Sequence, residues 1–206
     1  AAPYGEPVRW AVAPMLKESP TSLVDPLQVA DAIQAEVQAV DGINALPVNR
    51  TIAAMKELGI VRISSAHEAQ QVMRLLDVDG LLVGSISTWN PYPPLSLGLA
   101  LELHLRESAA SRTVDPLAVT VAAADVRTSP GTLGPVGPAA AASGLYDAAD
   151  HQVLKWVREY AEARHVPETA FGERIYLVSM DRYARFASWH LLGSIIGHER
   201  LRLAGI

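Results

Sequence analysis

The sequence predicts an α/β (α+β) protein of two or three layers, in which helices pack on a mixed sheet of four or five strands with an antiparallel hairpin, and a helical extension follows. Two observations lead to this prediction. Six leucines at every second position predict a strand with one buried face, and several capped segments with apolar residues at helical spacing predict amphipathic helices. Predicted strands and helices alternate in the first part of the chain, and the last part is predicted to be helical. This order is typical of a sheet with helices packed on it.

The first elements are a strand, a capped helix and a second strand. In residues 8–12, large apolar side chains alternate with Arg and Ala, which is typical of a strand. Asp25 followed by Pro26 predicts a helix start, because Asp accepts hydrogen bonds from the first turn and Pro fits the first helical position. Residues 43–48 form a short apolar run that predicts the second strand.

Two further helices and a brief strand follow. Asn49 is the predicted N-cap of the second helix, and residues 60–63 predict a brief strand after it. Ser65 and Glu68 have the spacing of a capping box, in which each side chain binds the backbone amide of the other residue. The third helix is therefore predicted to run from this box through Leu76.

A central strand and a leucine strand form the predicted hairpin. Residues 81–88 are apolar on both faces at their start, as expected of a central strand. The leucines of the next strand occupy one face, and they are Leu95, Leu97, Leu99, Leu101, Leu103 and Leu105. Residues 89–94 link the two strands and are too few for a helical crossover, so the strands are predicted to be antiparallel neighbours.

The predicted domain organisation has three parts. Residues 1–127 are the α/β core, residues 128–144 are a linker or loop rich in Pro, Gly and Ala, and residues 145–206 are helices packed on the core. The β-branched content of residues 117–126 predicts one more strand. The tetrapeptide at 114–117 repeats the earlier Val-Asp-Pro-Leu helix start, and so a helix is the alternative there.

The C-terminal part is predicted to be helical. Asp150 is placed to cap a helix through Arg164. Residues 173–203 contain no proline, and they fit either one long helix or two short helices separated near Gly193 or Gly197.

Composition excludes several function classes. None of the 206 residues is cysteine, which excludes disulfides, cysteine-ligated zinc and thiol catalysis. The net charge of −5 argues against binding to nucleic acid, and the apolar runs are shorter than the ~18 residues of a membrane span. Because the chain begins with Ala1 rather than Met, we expect that an upstream segment has been removed, by export cleavage or by trimming.

The sequence lacks the motifs of metal, cofactor and nucleophile sites. His67 and His198 are each followed by Glu, but neither has the second His four residues later that a zinc-binding helix needs. No Gly-x-Ser-x-Gly motif and no phosphate-binding loop with a lysine is present. We therefore expect no metal, no cofactor and no catalytic residue.

The loop between the hairpin strands is the candidate partner-binding site. It consists of Trp89, Asn90, Pro91, Tyr92 and Pro93. Prolines restrict the backbone, and Trp and Tyr are favoured anchors of protein interfaces. The alternative interpretation is that both aromatic side chains fold back and join the C-terminal helices to the sheet.

A second candidate site lies on the face of the strand opposite the leucines. Glu102, His104 and Arg106 alternate there, and a carboxylate beside an imidazole with a nearby guanidinium is suitable for acid–base chemistry or anion binding. The alternative is a solvated sheet face with alternating charges.

Two sequence motifs mark the predicted first strand and the predicted central strand. The strand "VRWAVAPM" ends in a proline and leads to a helix, and the strand "VDGLLVGSIS" enters a hairpin. This order resembles the small α/β domain of the TolB amino-terminal region, the curli-secretion lipoprotein and the lipoprotein activators of penicillin-binding proteins. The resemblance covers about residues 8–127, and residues 145–206 lie outside it.

The resemblance implies an exported protein that contacts other proteins and does not catalyse a reaction. The resulting hypothesis is a periplasmic or outer-membrane-associated interaction module, derived from a lipoprotein, that acts in envelope assembly with envelope protein partners. Any membrane attachment is expected only through a lipid anchor upstream of Ala1. The alternative hypothesis is a small-ligand binder or enzyme that uses the face with Glu102, His104 and Arg106.

Overall fold

The computed structural model describes residues 1–21, 23–106, 137–164 and 172–205. In chain order the elements are β1 (Val8–Val12), β2 (Leu16–Lys17), α1 (Pro26–Gln38), β3 (Ile43–Ala45), α2 (Val48–Glu57), α3 (Ala66–Leu76), β4 (Gly80–Asn90), β5 (Ser96–Leu105), β6 (Ala140–Asp147), α4 (His151–Ala163), a 3-10 helix (Gly172–Tyr176) and α5 (Met180–Ala204). They form a mixed sheet with helices on both faces, which confirms the predicted α/β class.

The sheet has six strands within the described residues. Its order is β3-β1-β4-β5-β6, and β2 pairs with β4 beyond the end of β1. The pairs of β1 with β3 and with β4 are parallel, whereas β4, β5 and β6 are antiparallel neighbours. The number of strands exceeds the predicted four or five for two reasons. The two-residue strand β2 is too short to be recognised from a sequence pattern, and residues 140–144, predicted as linker, lie in β6.

The β6 strand was missed because of its composition. It begins with three alanines, a residue type that is depleted in strands, and its identity as a strand comes from pairing with β5 over eight residues. The predicted strand at 117–126 lies outside the described residues. The division into domains at 127 and 144 stays a prediction.

The β4–β5 hairpin has the predicted antiparallel register and one irregularity. Ile86 pairs with Leu99, but Thr88 pairs with Gly98, so β4 contains one extra residue at Ser87. This is a β-bulge, and it changes the face on which later side chains of β4 lie. As a result Trp89 pairs with Leu97 and lies on the leucine face.

The leucine face is the larger of the two apolar interfaces. All six predicted leucines are buried there, together with side chains from α1, α4 and α5. The side chains from the helices include Ile33, Val37, Val157, Tyr160, Tyr183, Phe186, Leu191 and Ile195. The opposite face of the sheet packs against α2 and α3 through a smaller cluster that includes Met55, Val72, Met73, Leu81 and Val83.

Three predicted helix caps are confirmed. The Asp25 carboxylate accepts hydrogen bonds from the first turn of α1. Ser65 and Glu68 form the reciprocal capping box of α3. The Asp150 carboxylate accepts a hydrogen bond from the amide of Gln152 at the start of α4.

Two predictions around α2 are wrong. The helix begins at Val48, its N-cap is Pro47, and no side chain caps it, so Asn49 lies inside the first turn. Residues 60–63 form no strand. The amide of Ile60 is part of the C-terminal cap of α2, because it donates to the carbonyl of Met55 at 2.8 Å and so is not free to pair with a strand. This bond follows Gly59, whose φ of +70° lets the chain reverse its direction.

The last helix is continuous. Of the two alternatives from the sequence, the single helix is correct, although it begins at Met180 and a 3-10 helix occupies Gly172–Tyr176. Gly193 and Gly197 lie inside α5 without breaking it. A helical glycine costs only ~1 kcal/mol relative to alanine, and the apolar residues around these glycines pack on the sheet and α1.

Candidate functional site

The tip of the β4–β5 hairpin separates its two aromatic side chains. Trp89 is only 9 % exposed and packs in the leucine-face cluster. Tyr92 is 67 % exposed. Of the two large aromatics in the predicted partner-binding loop, only Tyr92 is therefore available to a partner without unfolding the hairpin.

Asn90 fixes the backbone of this tip. Its side-chain Oδ1 accepts a hydrogen bond from the amide of Tyr92 at 3.2 Å, and its Nδ2 donates to the carbonyl of Pro94 at 3.2 Å. Pro91 and Pro93 restrict φ on both sides of the tyrosine. Tyr92 is thus presented by a short segment with little conformational freedom.

An exposed apolar side chain also lies at the hairpin end of β6. Leu145 is two residues before the end of β6 and pairs with Gly98 of β5. It is 64 % exposed. The hairpin end therefore carries more exposed apolar surface than Tyr92 alone provides.

The predicted polar face brings Glu102 and His104 together. The imidazole Nε2 lies 3.5 Å from a carboxylate oxygen of Glu102, and the side chain of His104 is nearly buried while that of Glu102 is half exposed. The hydrogen bond from His104 lowers the pKa of the Glu102 carboxyl despite partial desolvation. A carboxylate that accepts from an imidazole in this way can orient the ring.

Arg106 does not join this pair. Its guanidinium donates to the carbonyl of Met73 at 3.2 Å and to the carboxylate of Asp77 at 2.9 Å, and its Nε donates to the carbonyl of Val78 at 3.0 Å. These acceptors lie at the C-terminal end of α3, where cations are favoured. The three residues of the second candidate site therefore do not converge on one ligand position.

Two buried ion-pair clusters were not predicted from the sequence. Glu36 of α1 accepts a hydrogen bond from the hydroxyl of Tyr160 at 2.9 Å and pairs with Arg164. Burial raises the pKa of the Glu36 carboxyl, although the tyrosine and the arginine oppose this effect. These groups connect α1 with α4 and contribute to the structure of the leucine-face layer.

The second cluster joins the two ends of the chain. Glu199 of α5 is fully buried and forms two 2.7 Å bonds with Arg202, and it also accepts from the hydroxyl of Tyr4 at 3.1 Å. Burial, reinforced by the charge of Glu199, raises the pKa of Tyr4. A sequence pattern gives no signal for such a contact, since its members are almost 200 positions apart.

The described residues contain neither a metal-binding cluster nor a membrane-spanning helix. No group of three or more His, Asp or Glu side chains could hold a metal ion in these ranges. Over the same ranges, no helix has the length and hydropathy needed to cross a membrane.

Comparisons with known proteins found similarity in solved structures. No protein-family model and no curated protein sequence matches the chain. The LpoB C-terminal domain from Salmonella enterica is 14 % identical, with a TM-score of 0.40 over 50 % of this chain and 74 % of that chain. Lipoprotein GNA1162 from Neisseria meningitidis is 16 % identical, with a TM-score of 0.40 over 59 % of this chain and 100 % of that chain.

A third similar structure covers more of the chain. The hypothetical protein CT253 from Chlamydia trachomatis is 9 % identical, with a TM-score of 0.48 over 93 % of this chain and 97 % of that chain. The neighbours thus include bacterial envelope lipoprotein domains, the group that the sequence motifs resemble. No residue role follows from similarity at this level.

Proposed function

We propose that this chain is a non-catalytic protein-interaction module of the bacterial envelope that binds a partner protein through the tip of the β4–β5 hairpin. The observation that carries the proposal is the exposed Tyr92 on a tip fixed by Asn90 and by the buried Trp89. An aromatic side chain held in one conformation loses little entropy when it binds, which favours its use as an interface anchor.

The envelope part of the proposal depends on the sequence motifs "VRWAVAPM" and "VDGLLVGSIS". A role in envelope assembly and an origin as a lipoprotein belong to the same proposal. Periplasmic or outer-membrane-associated location is the corresponding expectation.

The chemistry of the tip defines the partner surface that fits it. A Pro-Tyr-Pro segment is apolar and rigid, and the phenol adds one hydrogen-bonding group. The complementary surface is an apolar pocket with a polar group at its base, of the kind that accepts proline-rich and aromatic segments. Leu145, at the hairpin end of β6, would extend the contact at the rim.

The alternative function, a small-ligand site or enzyme on the opposite strand face, has weaker support. It requires Glu102, His104 and Arg106 to act on one ligand, whereas Arg106 is engaged by Met73 and Asp77. Without Arg106, the Glu102–His104 pair lacks the guanidinium that was expected to hold an anion.

Crosslinking followed by affinity measurement tests the partner-binding proposal. A photoreactive phenylalanine at position 92 is expected to crosslink one envelope protein in cells, and the same group at Leu201, at the far end of α5, is expected not to. With the crosslinked protein purified, Tyr92→Ala should weaken binding at least about tenfold. Equal crosslinking at both positions, or unchanged affinity of Tyr92→Ala, would exclude the hairpin tip as the binding site.

A further inference from the structure

A second exposed apolar surface lies on the α2/α3 side of the sheet, apart from the hairpin tip. A groove of about 340 Å³ is lined by the end of α2 and by the loop after β1, and its lining residues are Pro14, Ile52, Met55, Lys56, Gly59, Ile60 and Val61. Val61 at its rim is 95 % exposed, the highest exposure of any large hydrophobic side chain in the described residues.

The backbone at this groove holds Val61 in a defined position. Gly59 N donates to Lys56 O at 3.2 Å and Ile60 N donates to Met55 O at 2.8 Å, which is the hydrogen-bond pattern of a Schellman motif. Met55 and Ile60 line the groove together, as the hydrophobic contact of that motif requires. The chain therefore turns Ile60 toward the protein and leaves Val61 outside.

Two cationic side chains lie beside Val61. Lys56 lines the groove and Arg62 follows Val61, and neither pairs with a carboxylate in the parts of the chain that the structure describes. Glu57 lies about 140° around the helix from Ile52 and so points away from the groove. On a protein of net charge −5, this patch combines exposed aliphatic side chains with two unpaired cations.

We propose that this patch, with Val61 at its apex and Lys56 and Arg62 beside it, docks on an anionic lipid surface. Aliphatic side chains flanked by cations suit the boundary between headgroups and acyl chains, where burial and electrostatic attraction act together. Ile52, which lines the groove, is about one-third exposed and widens the apolar contact. The proposal uses a surface different from the hairpin tip, and so the two can fail independently.

Co-sedimentation of the 206-residue chain with vesicles tests the proposal. We expect binding to phosphatidylglycerol vesicles that decreases with salt, and much weaker binding to phosphatidylcholine vesicles. Val61→Asp should reduce the affinity by at least about tenfold, because it removes an aliphatic group that the lipid would bury and adds repulsion from the anionic headgroups. Lys56→Gln with Arg62→Gln should reduce it by about fivefold for each charge.

Leu201→Asp is the matched control, since Leu201 is half exposed at the far end of α5. Unchanged melting temperatures would show that Val61→Asp folds normally. The proposal is overturned if the wild-type chain does not bind anionic vesicles, if Val61→Asp binds as well as wild type, or if Leu201→Asp loses as much. A dimer in solution that Val61→Asp converts to a monomer would assign the patch to a second copy instead, and would also overturn it.

Discussion

At the scale of single residues, Trp89 and Tyr92 show how two similar side chains in one short loop acquire different environments. Trp89 follows the bulge in β4 and enters the core beside Leu97. Tyr92 follows the turn that Asn90 stabilises, and its side chain projects into solvent. The backbone, and not the residue type, therefore decides which aromatic stabilises the fold and which can contact a partner.

This separation predicts different effects of alanine at the two positions. Trp89→Ala should lower the free energy of unfolding by about 3–5 kcal/mol, because it removes a buried aromatic side chain and leaves a cavity. Tyr92→Ala should change it by less than about 0.5 kcal/mol, as is usual for exposed positions. Urea denaturation of the two variants measures both values, and similar losses would contradict the structure at the tip.

At the scale of elements, the start of α3 is stabilised by a charged cap. Glu68 accepts hydrogen bonds from the amide and hydroxyl of Ser64 and from the amide of Ser65. The bonds from Ser64 make the largest contribution to lowering the pKa of the Glu68 carboxyl. Because the folded-state pKa is lowered, the stabilisation is complete above the ordinary value of 4.5 and is lost as the pH falls through the folded-state pKa.

Glu68→Gln should therefore destabilise the protein near neutral pH and have a smaller effect in acid. The free energy of unfolding of both proteins, measured in urea at about pH 6 and about pH 3, gives the two differences. Ser64→Ala removes one of the donors and should retain part of the pH dependence. A difference between wild type and Glu68→Gln that is constant with pH would mean that the carboxylate has no special role in the cap.

The glycines of α5 and β4 lead to opposite predictions for alanine. A methyl group at Gly193 would meet no atom within 4 Å, whereas at Gly84 it would lie 2.4 Å from the carbonyl oxygen of Ala100. Gly193→Ala should raise the stability by about 0.5–1 kcal/mol through helix propensity. Gly84→Ala should lower the melting temperature, since strand β4 would have to move away from β5. Thermal unfolding of the two variants distinguishes these outcomes.

At the scale of the whole molecule, α5 covers much of the leucine face. Its buried apolar side chains include Tyr183, Phe186, Leu191, Leu192 and Ile195. At about 1.5–3 kcal/mol for each large side chain, their combined burial is comparable with the ~5–15 kcal/mol net stability of a typical domain. The sheet is therefore not expected to be stable without this helix.

Removing residues 180–206 should abolish cooperative folding. The shortened chain should expose the leucine face, bind a hydrophobic dye and lose its near-ultraviolet circular dichroism. Cooperative thermal unfolding of that chain would instead support the predicted division, in which residues 1–127 form a core and the C-terminal helices are an addition to it.

The features that could be predicted from the sequence are those encoded by neighbouring residues. The caps at Asp25 and Asp150 and the capping box at Ser65 each lie within a single turn of helix, and the leucine alternation lies within one strand. The pattern could not reveal the partners of Glu36, because they are 124 and 128 positions away. Likewise, the acceptors of Arg106 lie 28 to 33 positions before it, and only the fold brings them together.

The candidate site was predicted in part for the same reason. Aromatic residues and prolines in a loop indicate a possible interface, but the exposure of each side chain depends on strand register. Ser87 occupies a position with no counterpart in β5. Simple alternation from Ile86 would place Trp89 on the α2/α3 side of the sheet, and this single added residue places it on the leucine side.

The unmatched position in β4 also sets the direction in which the hairpin extends. Shortening β4 by that one residue would move each later side chain of the strand to the opposite face of the sheet. The indole of Trp89 would then leave the leucine face, and the tip would rotate by half a turn. A change in chain length within the strand would thus alter the direction of the proposed partner-binding loop without changing any residue of the loop itself. Deletion of Ser87 would therefore change the orientation of the tip while every side chain of the tip stays the same.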